Sequence, residues 1–134
     1  MITALGHEFE DLANHIVEPV GFDKMARSLA TGRACANPRP PGGVMDAISG
    51  PVAGARPLAV LSGHDVTGLT VTDEEALAAV ADAHRLLKIV VEPGAAASLA
   101  ALLAGKLDVG GRTVALVASG GNVDPAVYRR ALAD

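Results

Sequence analysis

The chain has 134 residues, enough for one domain with a hydrophobic core and little room for a second. Half of it is hydrophobic, rich in Ala, Val, Leu and Gly, and only Phe9, Phe22 and Tyr128 are aromatic, which excludes disordered and disulfide-rich classes and suits a layered α/β protein. The formal charge of −4, with no basic stripe or aromatic platform, argues against nucleic acid.

Cys35 is alone, so an internal disulfide is excluded and a reducing, cytoplasmic setting is expected. Glu8, Glu10 and Asp11 stand where a secretory leader would carry positive charge, and no apolar run reaches membrane-spanning length.

In chain order, Leu5, Phe9, Leu12 and Ala13 lie close to helical spacing and predict a short helix from Leu5 to Asn14. His7 precedes Glu8, but the zinc-protease pattern needs a second His where Asp11 stands, so His7 and His15 read as surface or capping residues. Ile16-Val17 predicts a short strand ending at Glu18-Pro19. Gly21 to Thr31 predicts a helix with Phe22, Met25, Ala26 and Leu29 as its buried stripe.

From Gly32 to Pro51 the pattern breaks into a passage rich in proline and glycine, of a length that is seldom idle. Within it only Val44 to Ile48 suits a helical turn. Ala53 to Leu61 has a helical pattern in which Pro57 is badly placed, and Ser62 to Thr67, with His64, reads as a solvated connection.

Gly68 to Val71 is strand-like. Thr72-Asp73-Glu74-Glu75 forms a capping box, followed by Leu77, Val80, Ala81, His84 and Leu87 at helical spacing to about Lys88. His84 reads as an interfacial residue of that helix. After Ile89-Val90-Val91, Glu92-Pro93-Gly94 turns the chain into a helix from Ala95 to Ala104, closed by Gly105.

Val114 to Ala118 is a continuous apolar run between two glycine pairs and predicts a buried central strand. It runs into Ser119-Gly120-Gly121-Asn122-Val123-Asp124, where Asp124 and Pro125 open a last helix to about Ala133. In open α/β sheets ligands bind beyond the carboxyl ends of strands, which is where Ser119 is expected. A tight strand-to-helix turn without ligand is the alternative reading.

Several separate blocks, in order, carry a resemblance. They are Val17-Glu18-Pro19, Gly21-Phe22-Asp23, Met25-Ala26-Arg27-Ser28-Leu29, Asn37-Pro38, Asp46-Ala47, Thr70-Val71-Thr72-Asp73-Glu74-Glu75, Leu87-Lys88, Val91-Glu92-Pro93-Gly94-Ala95, Ala100 to Lys106 and Ser119 to Asp124. Together they resemble the carboxyl-terminal portion of the threonine dehydratase and serine racemase family, pyridoxal-phosphate enzymes of the tryptophan-synthase-β-like fold, known as fold type II.

The resemblance implies a partial open α/β sheet with flanking helices. It divides the chain into a lead-in of residues 1–15 and a family-like part of one partial domain over residues 16–134.

The same resemblance implies roles for particular residues. Ser119 matches the family's serine that hydrogen-bonds the pyridine nitrogen of pyridoxal 5'-phosphate, and Gly120 belongs to the same turn. Glu92 matches a motif position near the cofactor ring; from its own setting it reads equally as a carboxylate favoured at a helix start. Some members bind a divalent metal through a glutamate matching Glu18, a backbone carbonyl matching Phe22 and an aspartate two residues further on, where this chain has Lys24.

The implied reaction is elimination of ammonia from serine or threonine to give a 2-oxo acid. The family's Schiff-base lysine and glycine-rich phosphate loop have no counterpart in this chain, and no catalytic residue is assigned to it. Two readings follow, a part of a lyase that works with a missing amino-terminal half or an oligomeric partner, and a non-catalytic remnant or interaction module. Both predict exposed strand edges and apolar faces, and a tendency to associate.

Overall fold

Two short strands that pair in parallel need a crossover connection between them, and that crossover organises the structure. The computed structural model describes residues 4–5, 8–9 and 12–133. Strand β1, Asn14–Pro19, pairs in parallel with β2, Val66–Val71, in a register that sets Ile16 opposite Gly68 and Glu18 opposite Thr70. Between them run helix α1, Lys24–Thr31, a 3₁₀ turn, Asp46–Ile48, and helix α2, Ala55–Leu61. Helix α3, Asp73–Asp82, follows β2, then α4, Pro93–Leu103, and α5, Pro125–Leu132. The expected α/β class with a small open sheet and flanking helices is what forms.

The two faces of the sheet follow the two-residue period of a strand. Val17, Leu69 and Val71 pack into the main core with Ala76, Val80, Ala96, Ala97 and Ala100 of α3 and α4. Gly68 lies on the opposite face, and a Cβ there would run into the Cβ of Ala26 in α1. Glu18 shares that face and meets the first turn of α1. The small side chains of α3 and α4 let those helices approach closely over the sheet, and five alanines of α4 are buried.

The capping box forms as the sequence predicts. Glu75 N–H donates to Thr72 Oγ1 at 3.2 Å, and Thr72 N–H donates to Glu75 Oε2 at 2.8 Å. Lys106, past the end of α4, reaches back to Glu75 at 2.9 Å. That ammonium, and after it the Thr72 N–H, hold the Glu75 carboxyl below the usual carboxylate range. Helix α3 continues through a π-turn, Ala83–Leu87, and stops at Lys88, whose φ of 59° lies in the left-handed region.

Several expectations are corrected. The strand begins at Asn14, two residues earlier than expected, so His15 is a half-buried strand residue opposite Thr67 and neither a surface nor a capping residue. Val66 and Thr67 belong to β2 for the same reason, since each strand supplies the other's ladder. Of the predicted helix from Leu5 to Asn14, residues 6, 7, 10 and 11, His7 among them, lie outside the described residues. Phe9 N–H donates to the Leu5 carbonyl at 2.9 Å, one helical turn.

Helix α1 starts at Lys24 because Gly21, at φ +80°, and the Phe22 N–H to Pro19 carbonyl bond make a turn first. Its expected stripe is only half-buried; the fully buried residue is Ser28, whose hydroxyl donates to the Lys24 carbonyl and accepts from Cys35 N–H. Pro57 is tolerated in α2 because it falls in the first turn, where no amide partner is needed.

The largest correction concerns Val114 to Ala118. A strand exists only where a neighbour completes its hydrogen bonds, and among the described residues none lies beside this run. It has no strand pairing, and Val114, Leu116 and Val117 are exposed, Val117 by 47%. Leu86, Leu87, Ile89 and Val90 are exposed nearby in sequence, Leu86 by 72%. The unpaired, apolar surface expected of a partial sheet is therefore present.

Candidate functional site

The candidate site is built where the segment entering α4 meets the segment entering α5. Val91 is buried and fixes the first. Pro93 then opens α4, and Ala96 N–H donates to the Glu92 carbonyl at 2.9 Å. The second is fixed by Asp124, whose carboxylate accepts from Ala126 N–H at 2.7 Å and Val127 N–H at 3.3 Å. Helix α5 is held in turn by buried Ala131 and by Tyr128, whose hydroxyl shares a 2.9 Å hydrogen bond with His84 Nδ1. His84 thus has the interfacial place its spacing predicts.

One backbone bond joins the two segments, from Glu92 N–H to the Gly120 carbonyl, at 2.9 Å. The glycine pair is explained by this contact. A Cβ at Gly120 would collide with the Glu92 carboxylate, and one at Gly121 would lie 3.1 Å from the Val90 carbonyl oxygen. Glu92 and Gly120 are therefore in contact, and Ser119 is the residue next to Gly120 on the turn. Ser119 is exposed on the turn, with its hydroxyl free among the described residues to donate or accept.

Beside this junction lies a cleft of about 160 Å³, lined by Val44, Asp46, Glu92, Gly94, Asn122 and Asp124. It is smaller than an ordinary ligand pocket of about 300 Å³ or more. A larger groove of about 280 Å³ runs between α3 and α5, but it touches none of the junction residues. Of the three candidate residues, Glu92 lines the smaller cleft, whereas Ser119 and Gly120 lie beside it. Sequence reading missed Asp46 and Gly94 as neighbours of Glu92; the Asp46-Ala47 block was the signal available.

None of the three lysines is free at this junction. Lys24 is bound to Glu18, Lys88 donates to the Arg85 carbonyl at 2.8 Å, and Lys106 pairs with Glu75. Glu18 is not placed as a metal ligand. Its buried carboxylate accepts from Met25 N–H at 3.0 Å and Ala26 N–H at 2.9 Å, and faces Lys24 Nζ at 3.5 Å. Among the described residues no group of three His, Cys, Asp or Glu could hold a metal ion.

The cofactor of the resembled family fits part of this arrangement. A neutral hydroxyl on a turn, flanked by glycines and a carboxylate, suits the nitrogen-bearing edge of a pyridine ring.

No helix among the described residues is long and apolar enough to cross a membrane. No curated protein matches the chain. Among solved structures, it is similar to a threonine deaminase from T.th., at 34% identity and a TM-score of 0.82, over 91% of this chain and 41% of that one. It is similar to serine racemase from Dictyostelium discoideum, at 27% identity and a TM-score of 0.75, over 92% and 39%. The processed form of threonine deaminase isoform 2 from Solanum lycopersicum shares the fold at a TM-score of 0.83 and 19% identity, over 96% and 38%. The chain thus spans about two fifths of the length of these structures. The family described as pyridoxal-phosphate dependent enzyme matches residues 1–120, which takes in the first fifteen residues as well. With that match over most of its length, and a fold shared with threonine deaminases and a serine racemase, the chain belongs to the pyridoxal-phosphate dependent enzyme family, whose cofactor is pyridoxal phosphate.

Proposed function

We propose that this chain forms the carboxyl-terminal portion of the catalytic domain of a serine or threonine ammonia-lyase. It would act together with a segment that supplies the lysine and the phosphate-binding loop. The observation that carries this reading is the Glu92–Gly120 junction, where two blocks of the family pattern lie together beside a small cleft. The unpaired apolar run from Val114 to Val117 supports it, because such a surface is stable once another strand covers it.

Within this reading, bound pyridoxal phosphate supplies the electron sink for elimination of the β-hydroxyl. Ser119 would hold the ring nitrogen through a neutral hydroxyl, which would leave that nitrogen largely unprotonated and temper the electron withdrawal. Glu92 would lie near the ring, and Gly120 and Gly121 allow the turn to approach residues 90–92 closely. The substrate is a β-hydroxy amino acid, the products a 2-oxo acid and ammonia. The free Cys35 suits a reducing compartment such as the cytoplasm.

The test is ammonia and 2-oxo acid release from L-serine and L-threonine. The chain is assayed alone and after mixing with the lysine-bearing amino-terminal portion of the T.th. threonine deaminase. The chain alone is expected to be inactive, and the mixture to turn over at least one substrate. Turnover by the chain alone would contradict the proposal. So would a complex that forms but takes up no cofactor, which would leave a non-catalytic interaction module.

A further inference from the structure

The corner where β1 meets α1 carries a cation of its own. Lys24 sits in the first turn of α1, where a positive charge is unfavourable toward the helix dipole. Its side chain is nevertheless nearly buried, 14% exposed, against a Glu18 side chain that is 8% exposed. Nζ lies 3.5 Å from Glu18 Oε1 and donates to the Ile48 carbonyl at 3.1 Å. The Glu18 carboxylate also accepts the Met25 and Ala26 amides, so it closes the helix start while it holds the ammonium. Strand, helix and 3₁₀ turn are tied together at one positive charge.

A carboxylate and a backbone carbonyl converging on a positive centre are the donors a hard divalent ion uses. Such an ion needs oxygens at about 2.0–2.6 Å and would be repelled by an ammonium fixed at the same oxygens. A metal at Glu18 therefore does not fit this chain. The 3₁₀ turn that Lys24 holds is also the one that packs on the start of α4: Ile48 Cγ2 lies 3.5 Å, and Ala47 Cβ 3.7 Å, from the position of a Cβ on Gly94.

We propose that Lys24 is a covalently attached replacement for a divalent cation. It cross-links β1, α1 and the Asp46–Ile48 turn, and makes the structure independent of metal. Lys24 is a positioning residue, acting through the turn beside Gly94. The proposal does not depend on whether the chain takes part in a lyase.

The experiment compares thermal midpoints of the whole chain in EDTA and in millimolar Mn²⁺, as wild type, K24M and K24D. The wild-type midpoint is expected to be the same in both. K24M is expected to melt lower by about 4–8 °C, with no recovery in Mn²⁺. K24D places a carboxylate beside Glu18 and is expected to recover much of its loss when Mn²⁺ is added. The proposal is overturned if EDTA lowers the wild-type midpoint, if K24M melts with wild type, or if folded K24D ignores Mn²⁺. Should the variants not fold, Mn²⁺ spin resonance with the wild-type chain decides. An undiminished free-ion signal supports the proposal, and stoichiometric binding overturns it.

Discussion

Glu18→Ala is expected to destabilise the chain by about 3 kcal/mol, the range found when one partner of a buried ion pair is removed. The carboxylate does three things at once. It accepts the Met25 and Ala26 amides, which are free ends of α1, and it faces the Lys24 ammonium. Removing it strands that ammonium with the Ile48 carbonyl as its remaining partner among the described residues. It also leaves the helix start uncapped where Asp23, the N-cap residue, makes no side-chain cap bond. An exposed pair would be worth at most about 1 kcal/mol, so urea unfolding of wild type and variant separates the two cases. A loss below that level would mean that Glu18 is an ordinary surface carboxylate.

Gly68→Ala is expected to cost a similar amount, about 3 kcal/mol, at the upper end for overpacking a close-packed site. The new Cβ would meet the Cβ of Ala26 and lie 3.2 Å from its Cα. Neither atom can swing aside as the end of a long side chain can, so α1 must lift from the sheet, and with it the Glu18 and Lys24 corner. Ala26→Gly in the same chain removes the obstacle but puts glycine inside a helix, at about 1 kcal/mol. The double variant should therefore recover most of the loss and fall roughly 1 kcal/mol short of wild type. Additive losses in the two single variants would show that the helix does not approach the strand at Gly68.

Local chemistry was legible in the sequence, and long-range pairing was not. Thr72 and Glu75 announce a helix start because both halves of the capping box lie within four residues, and the box forms as read. Asp124 and Pro125 likewise mark the start of α5. Val114 to Ala118 has the composition of a central strand, but pairing depends on a neighbour that its own residues cannot encode. The same holds for Asn14 and His15, polar residues that join β1 because Val66 and Thr67 lie opposite.

At the site, the motif positions of Glu92, Ser119 and Gly120 were readable, and the hydrogen bond that joins Glu92 to Gly120 needed the fold. Lys24 could be seen as a departure from an acidic metal ligand. That its ammonium fills the corner could be seen only with the Ile48 carbonyl in place, twenty-four residues further on.

A Ser119–Gly120 turn that, as proposed, forms with Glu92 the carboxyl-terminal wall of a pyridoxal phosphate site makes cofactor affinity depend on Ser119. Equilibrium dialysis of pyridoxal phosphate measures that dependence. The chain is complemented by the lysine-bearing portion of a threonine deaminase and carries either Ser119 or the Ser119→Ala change. We predict one cofactor bound per complex with Ser119, and about tenfold weaker binding with the alanine variant, the effect of losing one hydrogen bond of about 1.4 kcal/mol. Equal affinity in the two complexes would contradict the assignment of this turn to the cofactor.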